Sequence, residues 1–476
     1  MRRLLSPTIL VSTSLLASAC TVGPDYVRPT MAIPKTYKEA PPGWRLAQPA
    51  DRSRRGRWWE MFHDPDLDRL EEQAAQTNQS IVAADAHYRQ ALAVVDQNVA
   101  SLFPIVSTRA YGQRLANPAI GVPLAPKTYR SASVSASWVP DLWGAVRRSI
   151  EEARANAESS ADNLGAAMLS LQATLATDYF ALRIADEQQR LLHEAVHADR
   201  RLLQIAQHRY RGGVAARVDV AEAQVLLAEA STQAIDVGIQ RAQLEHAIAV
   251  LTGKAPSEFA IAPRPMIVPA PPAIPPEIPG ALLQRRPDVA SAERLAAAAN
   301  AQIGVAQAAF FPTVTLSARG GYRSPSNLSL FAIPARFWTL GPALAETIFD
   351  GGARTAVKQQ AIDSYEAAVA TYRQTVLSAL QNVEDALVAQ RVLREESVME
   401  GTAVDDAVDT LRMTTNQYRG GTAGYRDVLA ARTAMLANRI TALNIRGRRL
   451  AASVELVAAL GGDWHRPADK PQSQQP

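Results

Sequence analysis

The sequence Tyr-Arg-Gly-Gly occupies residues 210–213 and returns at residues 418–421, a spacing of 208 residues (210 to 418). Two further pairs keep this spacing, namely Asp219-Val220 with Asp427-Val428 and Phe103-Pro104 with Phe311-Pro312. Repetition at a fixed spacing is the sequence signature of a repeated structural unit. We therefore interpret the chain as a tandem duplication, and this argues against most enzyme classes because any function must fit a pseudo-symmetric structure.

The distribution of the 30 prolines predicts long helices, since residues 141–255 and 343–466 contain none. Proline breaks helix interiors, and both runs are rich in good helix formers. Apolar residues also recur at helical spacings of four and three, as in Leu171, Leu175, Tyr179 and Leu182. The stretch from Ala145 to Tyr210 would be about 100 Å long as one helix. Each run is interrupted by a glycine pair after a basic helix end, which predicts an antiparallel helical hairpin that turns at Tyr-Arg-Gly-Gly.

Ahead of each helical run, apolar and small polar residues alternate with a period of two. The alternation covers Arg130 to Trp138 and, in the second copy, Val314 to Tyr322. It is typical of membrane β-barrel strands, although a half-buried soluble sheet gives the same pattern. Pro104 and Pro312 would each precede the first strand of a copy. Two strands per copy are too few to close a barrel, so the strands would have to be pooled between chains, giving eight in a dimer or twelve in a trimer.

Composition and the amino terminus narrow the class of protein. A net charge of +4 with 20% charged residues is too mild to indicate nucleic acid binding. Two arginines followed by a short apolar stretch predict a signal peptide over residues 1–19. Cys20, the only cysteine in the sequence, follows small residues as in a lipobox, which predicts its lipidation, with ordinary cleavage and a free thiol as the alternative. One cysteine leaves no disulfide within the chain and no cysteine-rich metal site.

Four motifs resemble the outer-membrane factor lipoproteins of the NodT type, which are TolC-like exit ducts of tripartite, RND-type export systems. In order, they are Cys20 to Pro29, Trp58-Trp59 with Phe62 and Asp64-Pro65, Leu282 to Val289 with Glu293, and Leu340 to Gly352. The resemblance implies a mainly α chain with membrane β-strands. It further implies a homotrimer in which twelve strands form one β-barrel that continues into a twelve-helix α-barrel.

The resemblance and the duplication together divide the chain into five segments. They are a signal peptide at 1–19, an N-terminal segment with the first repeat at 20–254, a Pro-rich connector at 255–280, a second repeat at 281–464 and a disordered tail at 465–476. The implied function is passive exit of small molecules such as drugs across the periplasm and outer membrane, without enzymatic activity or cofactor. The implied partners are a periplasmic adaptor protein, an inner-membrane RND-type pump and outer-membrane lipid. A structural lipoprotein scaffold without channel activity is the alternative.

Two groups of residues near the hairpin turns are candidates for function. The predicted periplasmic tips, where the adaptor would dock, are Tyr210, Arg211, Gly212, Gly213, Tyr418, Arg419, Gly420 and Gly421. The candidates for a gate at the closed end are Asp219, Glu222, Arg426 and Asp427. Related sequences commonly have leucine, aspartate and arginine where this chain has Arg426, Ala430 and Thr433, so the resemblance implies a gate held differently here. A solvated polar helix face is the alternative for each charged residue.

One motif is interpreted as a chance match. Residues 193–197 read His-Glu-Ala-Val-His, which on a helix is the zinc-binding pattern H-E-x-x-H. A third ligand is needed, and His208 follows without the glycine that the longer metalloprotease pattern places between. The second copy has no counterpart of this motif. A zinc hydrolase would carry metal after purification and would lose activity on His193→Ala.

Overall fold

The structure is a computed structural model that describes residues 21–34, 36–39, 57–115, 126–264, 286–325, 330–331 and 333–462. The predicted signal peptide, Cys20, most of the connector and the tail at 465–476 lie outside the described residues. The chain divides into two compact units. The sheet unit takes its described residues from Met1–Thr30, His87–Ser160 and Ser291–Arg373, and the hairpin unit takes them from Met31–Ala86, Ala161–Ala290 and Gln374–Pro476.

The sheet unit contains a four-stranded antiparallel sheet in which the strand order follows the chain. The strands are β1 (Ile105–Leu115), β2 (Lys127–Trp138), β3 (Thr313–Pro325) and β4 (Arg336–Ala345). The strands predicted from alternation are therefore confirmed, and β1 and β3 begin directly after Pro104 and Pro312 as predicted. Among the described residues, β1 and β4 are the edge strands and each pairs on one side only.

The register places even-numbered residues of all four strands on one face, here called the even face, and odd-numbered residues on the opposite odd face. One row of the even face runs through Thr108, Val134, Gly320 and Trp338. Large apolar side chains of this face are between 38% and 76% exposed: Val106, Val134, Leu316, Trp338, Leu340 and Leu344. The odd face carries the four serines of β2 at positions 131, 133, 135 and 137. An apolar face open in the single chain favours the membrane interpretation of the alternation over a half-buried soluble sheet.

Seven α-helices are formed by the described residues. They are α1 (Pro65–Thr77), α2 (Gln79–Ala100), α3 (Ala145–Arg211), α4 (Arg217–Leu251), α5 (Pro287–Ala308), α6 (Ala353–Gly420) and α7 (Tyr425–Ala459). The long helices α3 and α6 have 67 and 68 residues, and each is followed by a helix of 35 residues. The two predicted helical hairpins are therefore confirmed. The order strand, strand, long helix, shorter helix occurs twice among these elements.

None of the helices in the described parts of the chain contains a stretch long and apolar enough to cross a membrane.

Each passage from a strand into a long helix is fixed by an aspartate and an arginine. At the start of α3, Asp141 accepts hydrogen bonds from the backbone N–H groups of Val146 and Arg147, both at 3.0 Å, and from Arg147 Nε at 3.0 Å. At the start of α6, Asp350 accepts from the backbone of Gly352 at 3.0 Å and from Arg354 Nε at 2.6 Å. The carboxylates satisfy backbone donors that have no partner within the helix.

The core of the hairpin unit is built on the predicted helical seam. Leu175, Tyr179 and Leu182 of α3 have no exposed surface, and they pack in one cluster with the aromatic residues Trp58 and Phe62. The second copy uses the corresponding positions of α6, where Val383 and Leu387 are buried. The buried face of each long helix is therefore the face on which the apolar residues recur at spacings of three and four, as the sequence indicates.

Glu71 of α1 is the unusual group in this core. It has no exposed surface, and neither carboxyl oxygen has a hydrogen-bond partner. Burial and, to a lesser extent, the nearby charge of Asp68 raise the pKa of Glu71 to about 9. The carboxyl group is therefore protonated at neutral pH, because an unpaired buried carboxylate would be far more costly.

We predict that Glu71 makes folding stability fall as the pH rises. The pKa of Glu71 in the folded protein, about 9, lies above its ordinary value of 4.5. Between these values the folded state binds the proton that the unfolded state releases, so stability is lost as the pH rises towards 9. Glu71→Gln keeps the shape and cannot ionise, so its midpoint of thermal unfolding should vary less between pH 5 and 9. The control is Glu72→Gln on the exposed side of α1, and equal pH dependence of wild type and Glu71→Gln would contradict the prediction.

Candidate functional site

The two hairpin turns share one backbone geometry. Gly213 and Gly421 have positive φ angles of 73° and 80°, which glycine adopts most readily. Val214 N–H donates to the carbonyl of Arg209 and Thr422 N–H donates to that of Gln417, both at 3.0 Å. A Cβ atom at either glycine would meet nothing within 4 Å. The turns therefore need glycine for its backbone conformation and not for space, which confirms the predicted helix stops.

The two repeated tyrosines have different surroundings. Tyr210 is 45% exposed, whereas Tyr418 is 3% exposed. Arg209 of α3 explains the difference, since its Nη1 donates to the carbonyl of Tyr418 at 2.8 Å and its guanidinium lies 4.7 Å from the Tyr418 ring centroid. The last carbonyls of α6 carry partial negative charge, so a cation is favourable at this position. The first hairpin thus supplies the cap for the end of α6.

An aromatic pair joins the two hairpins beside this cap. The rings of Tyr418 and Tyr425 are 5.6 Å apart at 63°, and both hydroxyl groups are buried without a hydrogen-bond partner. Burial and, to a lesser extent, the charge of Asp199 raise the pKa of Tyr425 to about 12. The pair packs with Ala206 and Ala223 of the first hairpin. Apolar contact therefore holds the hairpin ends together.

A buried ion pair links the hairpins about two helical turns further from the turn residues. Arg432 of α7 donates two hydrogen bonds of 2.7 Å to the carboxylate oxygens of Asp199 on α3. The side chains are 2% and 0% exposed. Burial raises the pKa of Asp199 while the charge of Arg432 opposes this shift. Sequence analysis did not identify this pair, although Tyr425, Val428 and Arg432 are spaced to lie on one helix face.

Two of the four gate candidates, Arg426 and Glu222, contact each other. Arg426 Nε lies 3.2 Å from Glu222 Oε1, so this pair joins the two hairpins of one chain. The Arg426 side chain is 81% exposed. Asp427 accepts a hydrogen bond of 2.9 Å from Gly424 N–H and so caps its own helix. Burial raises the pKa of Tyr418, and the charge of Asp219 raises it further, which places Asp219 near the aromatic pair.

A basic groove of about 840 Å³ lies next to the turns, between α3, α6 and α7. Its lining includes the cationic and imidazole side chains of Arg201, Arg419, Arg439, His197 and His208. Of the predicted tip residues, Arg419 therefore faces this groove, whereas Tyr210 and Arg211 are exposed outside it. The groove and the turns form one continuous surface of the hairpin unit.

The H-E-x-x-H motif lies on α3 within the hairpin unit. His193 and His197 are exposed, and Glu194 is paired with Arg190. Within the described residues, no group of three or more His, Cys, Asp or Glu side chains is arranged to hold a metal ion.

We predict that the two ion pairs between the hairpins differ strongly in their effect on stability. Asp199→Asn removes the charge that compensates the buried Arg432, which should cost about 3–5 kcal/mol. The matched control, Glu222→Gln, removes the partner of exposed Arg426 and should cost about 0–1 kcal/mol. The measurement is the midpoint of thermal unfolding followed by helical circular dichroism. Equal losses from both variants would contradict this assignment.

Comparison with known proteins gives consistent similarity along the whole chain. Residues 70–254 and 278–462 both match the family model described as outer membrane efflux protein. The toluene efflux pump outer membrane protein TtgC of Pseudomonas putida is 28% identical over 473 residues, 98% of this chain and 97% of that protein. The pyoverdine export outer membrane protein OpmQ of Pseudomonas aeruginosa is 28% identical over 464 residues, 96% of each chain. The solved structure of the outer-membrane channel OprN has a TM-score of 0.86 at 30% identity and covers 94% of this chain and 100% of that chain.

Proposed function

Because the chain belongs to the outer membrane efflux protein family and is an outer membrane efflux channel of a Gram-negative bacterium, we propose that three copies form one passive exit duct. The observation that carries this proposal is the open sheet, whose edge strands β1 and β4 pair on one side only among the described residues. Hydrocarbon does not tolerate open edges. If β4 of each copy pairs with β1 of the next, three copies close a barrel of twelve strands, which is wide enough to leave a bore.

The long helices would extend the same duct through the periplasm. Each chain supplies four of them, α3, α4, α6 and α7, so three chains supply twelve. The repeated order of elements supports an origin of the chain by tandem duplication. We propose that the inner end of this helical tunnel meets a periplasmic adaptor protein that delivers substrate from an inner-membrane pump of the RND type, and that lipidation of Cys20 adds an anchor.

The proposed activity is transport without catalysis. The relatives are named for efflux of toluene and export of pyoverdine, so we propose small organic molecules, drugs among them, as the cargo of this chain. A scaffold that only bridges the envelope would need no exposed apolar sheet face. That face, with Trp338 and Leu340 each 76% exposed, therefore favours the duct over the scaffold.

We propose that the gate is held closed by weak ion pairs that occur three times in the trimer. Arg426 and Glu222 join the two hairpins through a pair whose arginine side chain is 81% exposed, and a pair that water screens in this way contributes about 0–1 kcal/mol. Three copies would contribute about 0–3 kcal/mol together, and about 1.4 kcal/mol, near the middle of this range, corresponds to a tenfold change in the open fraction. Asp219 and Asp427 place further negative charge beside this pair.

We predict that Arg426→Glu increases channel opening in planar bilayers. The new carboxylate faces Glu222, so attraction becomes repulsion and the single-channel open fraction should rise about tenfold. The control is Arg412→Glu, because the exposed Arg412 pairs with Asp409 on the same helix, α6, so this pair does not link the two hairpins. An open fraction equal to wild type in Arg426→Glu would remove Arg426 from the gate, and absence of conductance in the wild-type protein would overturn the duct itself.

The exposed turns are proposed as the place where the adaptor docks. Both glycines leave open space around the backbone, so a partner chain can approach closely. Asn and Asp both tolerate the left-handed conformation that Gly213 requires, and they differ mainly in charge.

We predict that Gly213→Asp lowers drug resistance of cells by about tenfold while Gly213→Asn remains close to wild type. Both variants should keep the turn, so the difference would report the added charge at the docking surface. The measurement is the minimum inhibitory concentration of an exported drug, with assembly of both variants checked on native gels. If Gly213→Asp and Gly213→Asn export equally well, the tip functions only as a turn.

A further inference from the structure

The two segments that contain the paired strands, residues 105–138 and 313–345, carry only positive charges. Residues 105–138 and 313–345 include no aspartate and no glutamate. Their cations are Arg109, Arg114, Lys127, Arg130, Arg319, Arg323 and Arg336. A chain with a net charge of only +4 thus has seven cations and no carboxylate side chain in the two segments that form the sheet. A single-sign field of this kind affects which solutes approach the surface.

The six arginines in these segments divide equally between the two faces of the sheet. Arg114, Arg130 and Arg336 have even numbers and lie on the even face, among the exposed apolar side chains. Arg109, Arg319 and Arg323 have odd numbers and lie on the odd face with the serines of β2. Neighbouring strands are about 4.8 Å apart, and Arg109 lies in the row of Gly321, two residues from each arginine on β3, so these backbone positions are about 12 Å apart. The odd face therefore carries a compact basic patch.

Two side chains of this basic patch, Arg319 and Arg323, are held in place without loss of charge. Arg319 donates from Nη2 to Ser133 Oγ at 3.1 Å. The guanidinium groups of Arg319 and Arg323 lie 5.6 Å and 5.3 Å from the ring centroid of Phe337. A hydroxyl group and an aromatic ring orient a cation but do not neutralise it. No carboxylate lies within ion-pair distance of these two arginines or of Arg109 among the described residues.

The acidic residues that flank the strands compensate little of this charge. They are Asp141, Glu346 and Asp350, and two of them are engaged, since Asp141 is paired with Arg147 and Asp350 with Arg354. Glu346 alone remains, exposed beyond the end of β4. Each chain thus has three arginines on the odd face, and the carboxylate of Glu346 beyond the end of β4 is the one flanking acidic group without a described arginine partner.

We propose that the odd face selects anions, and that the cargo of this duct consists of organic molecules with net negative charge, such as carboxylates. The proposal rests on the proposed function, since only a closed barrel turns the odd face towards a bore. Three copies then place nine arginines around the bore. Rings of positive side chains concentrate anions and repel cations, which gives a pore its selectivity.

The test is the reversal potential of the wild-type channel in planar bilayers under a gradient of potassium chloride. The wild type should favour chloride over potassium by about threefold or more. The triple variant Arg109→Gln, Arg319→Gln, Arg323→Gln should bring this ratio to about one. The matched control, Arg114→Gln, Arg130→Gln, Arg336→Gln, removes the same charge from the even face and should leave the ratio close to wild type. Arg→Lys at the three odd-face positions keeps the charge and should preserve the ratio, which separates charge from folding.

The outcomes distinguish this inference from the proposed duct. A wild-type channel that conducts but favours potassium, or discriminates against neither ion, would overturn anion selection and leave the duct intact. Equal effects of the two glutamine triples would also overturn it, because selectivity would then follow total charge and not the odd face. A wild-type protein that inserts without conducting would overturn the duct and, with it, this assignment.

Discussion

The backbone groups at the edges of the sheet impose the constraint on which the proposed assembly depends. The outward N–H and C=O groups of β1 and β4 have no strand partner among the described residues. Water could satisfy them, but hydrocarbon cannot, at a cost of several kcal/mol for each unsatisfied group. The even face is apolar and open, so the sheet suits a lipid environment only if its edges are paired. Pairing between copies gives the edge strands their hydrogen-bond partners and leaves the apolar even face in contact with lipid. The number of copies then determines whether the barrel has a bore.

The hairpin ends show how one repeated sequence yields two different local structures. Tyr210 and Tyr418 occupy equivalent positions in the repeat, yet only Tyr418 is buried, because Arg209 lies over its ring and caps α6. Arg432 and Asp199 then fix the contact between hairpins with a buried, doubly hydrogen-bonded pair. By contrast, Arg426 in its contact with Glu222 is largely exposed, so breaking this contact costs little. The buried Arg432–Asp199 pair would keep the hairpins packed. The weaker Arg426–Glu222 pair, closer to the turns, would allow the turn ends to shift.

Features set by local chemistry could be predicted from the sequence. Gly213 and Gly421 mark the ends of helices because glycine adopts the required φ most readily, and Pro104 and Pro312 mark the starts of strands. The contacts of Arg209, Asp199 and Arg432 could not be predicted, since each joins residues about 200 positions apart. The division of the arginines between the two faces could be read only once the register was known, because a shift of one residue would exchange the faces.

The central claim is that three copies of the chain close one barrel, and native mass spectrometry of the protein extracted in mild detergent tests it most directly. The account predicts a single assembly of three chains. Monomers would leave the edges of β1 and β4 open, and two chains would give eight strands, whose interior is filled by side chains. An assembly of one, two or four chains as the dominant species would therefore contradict the account.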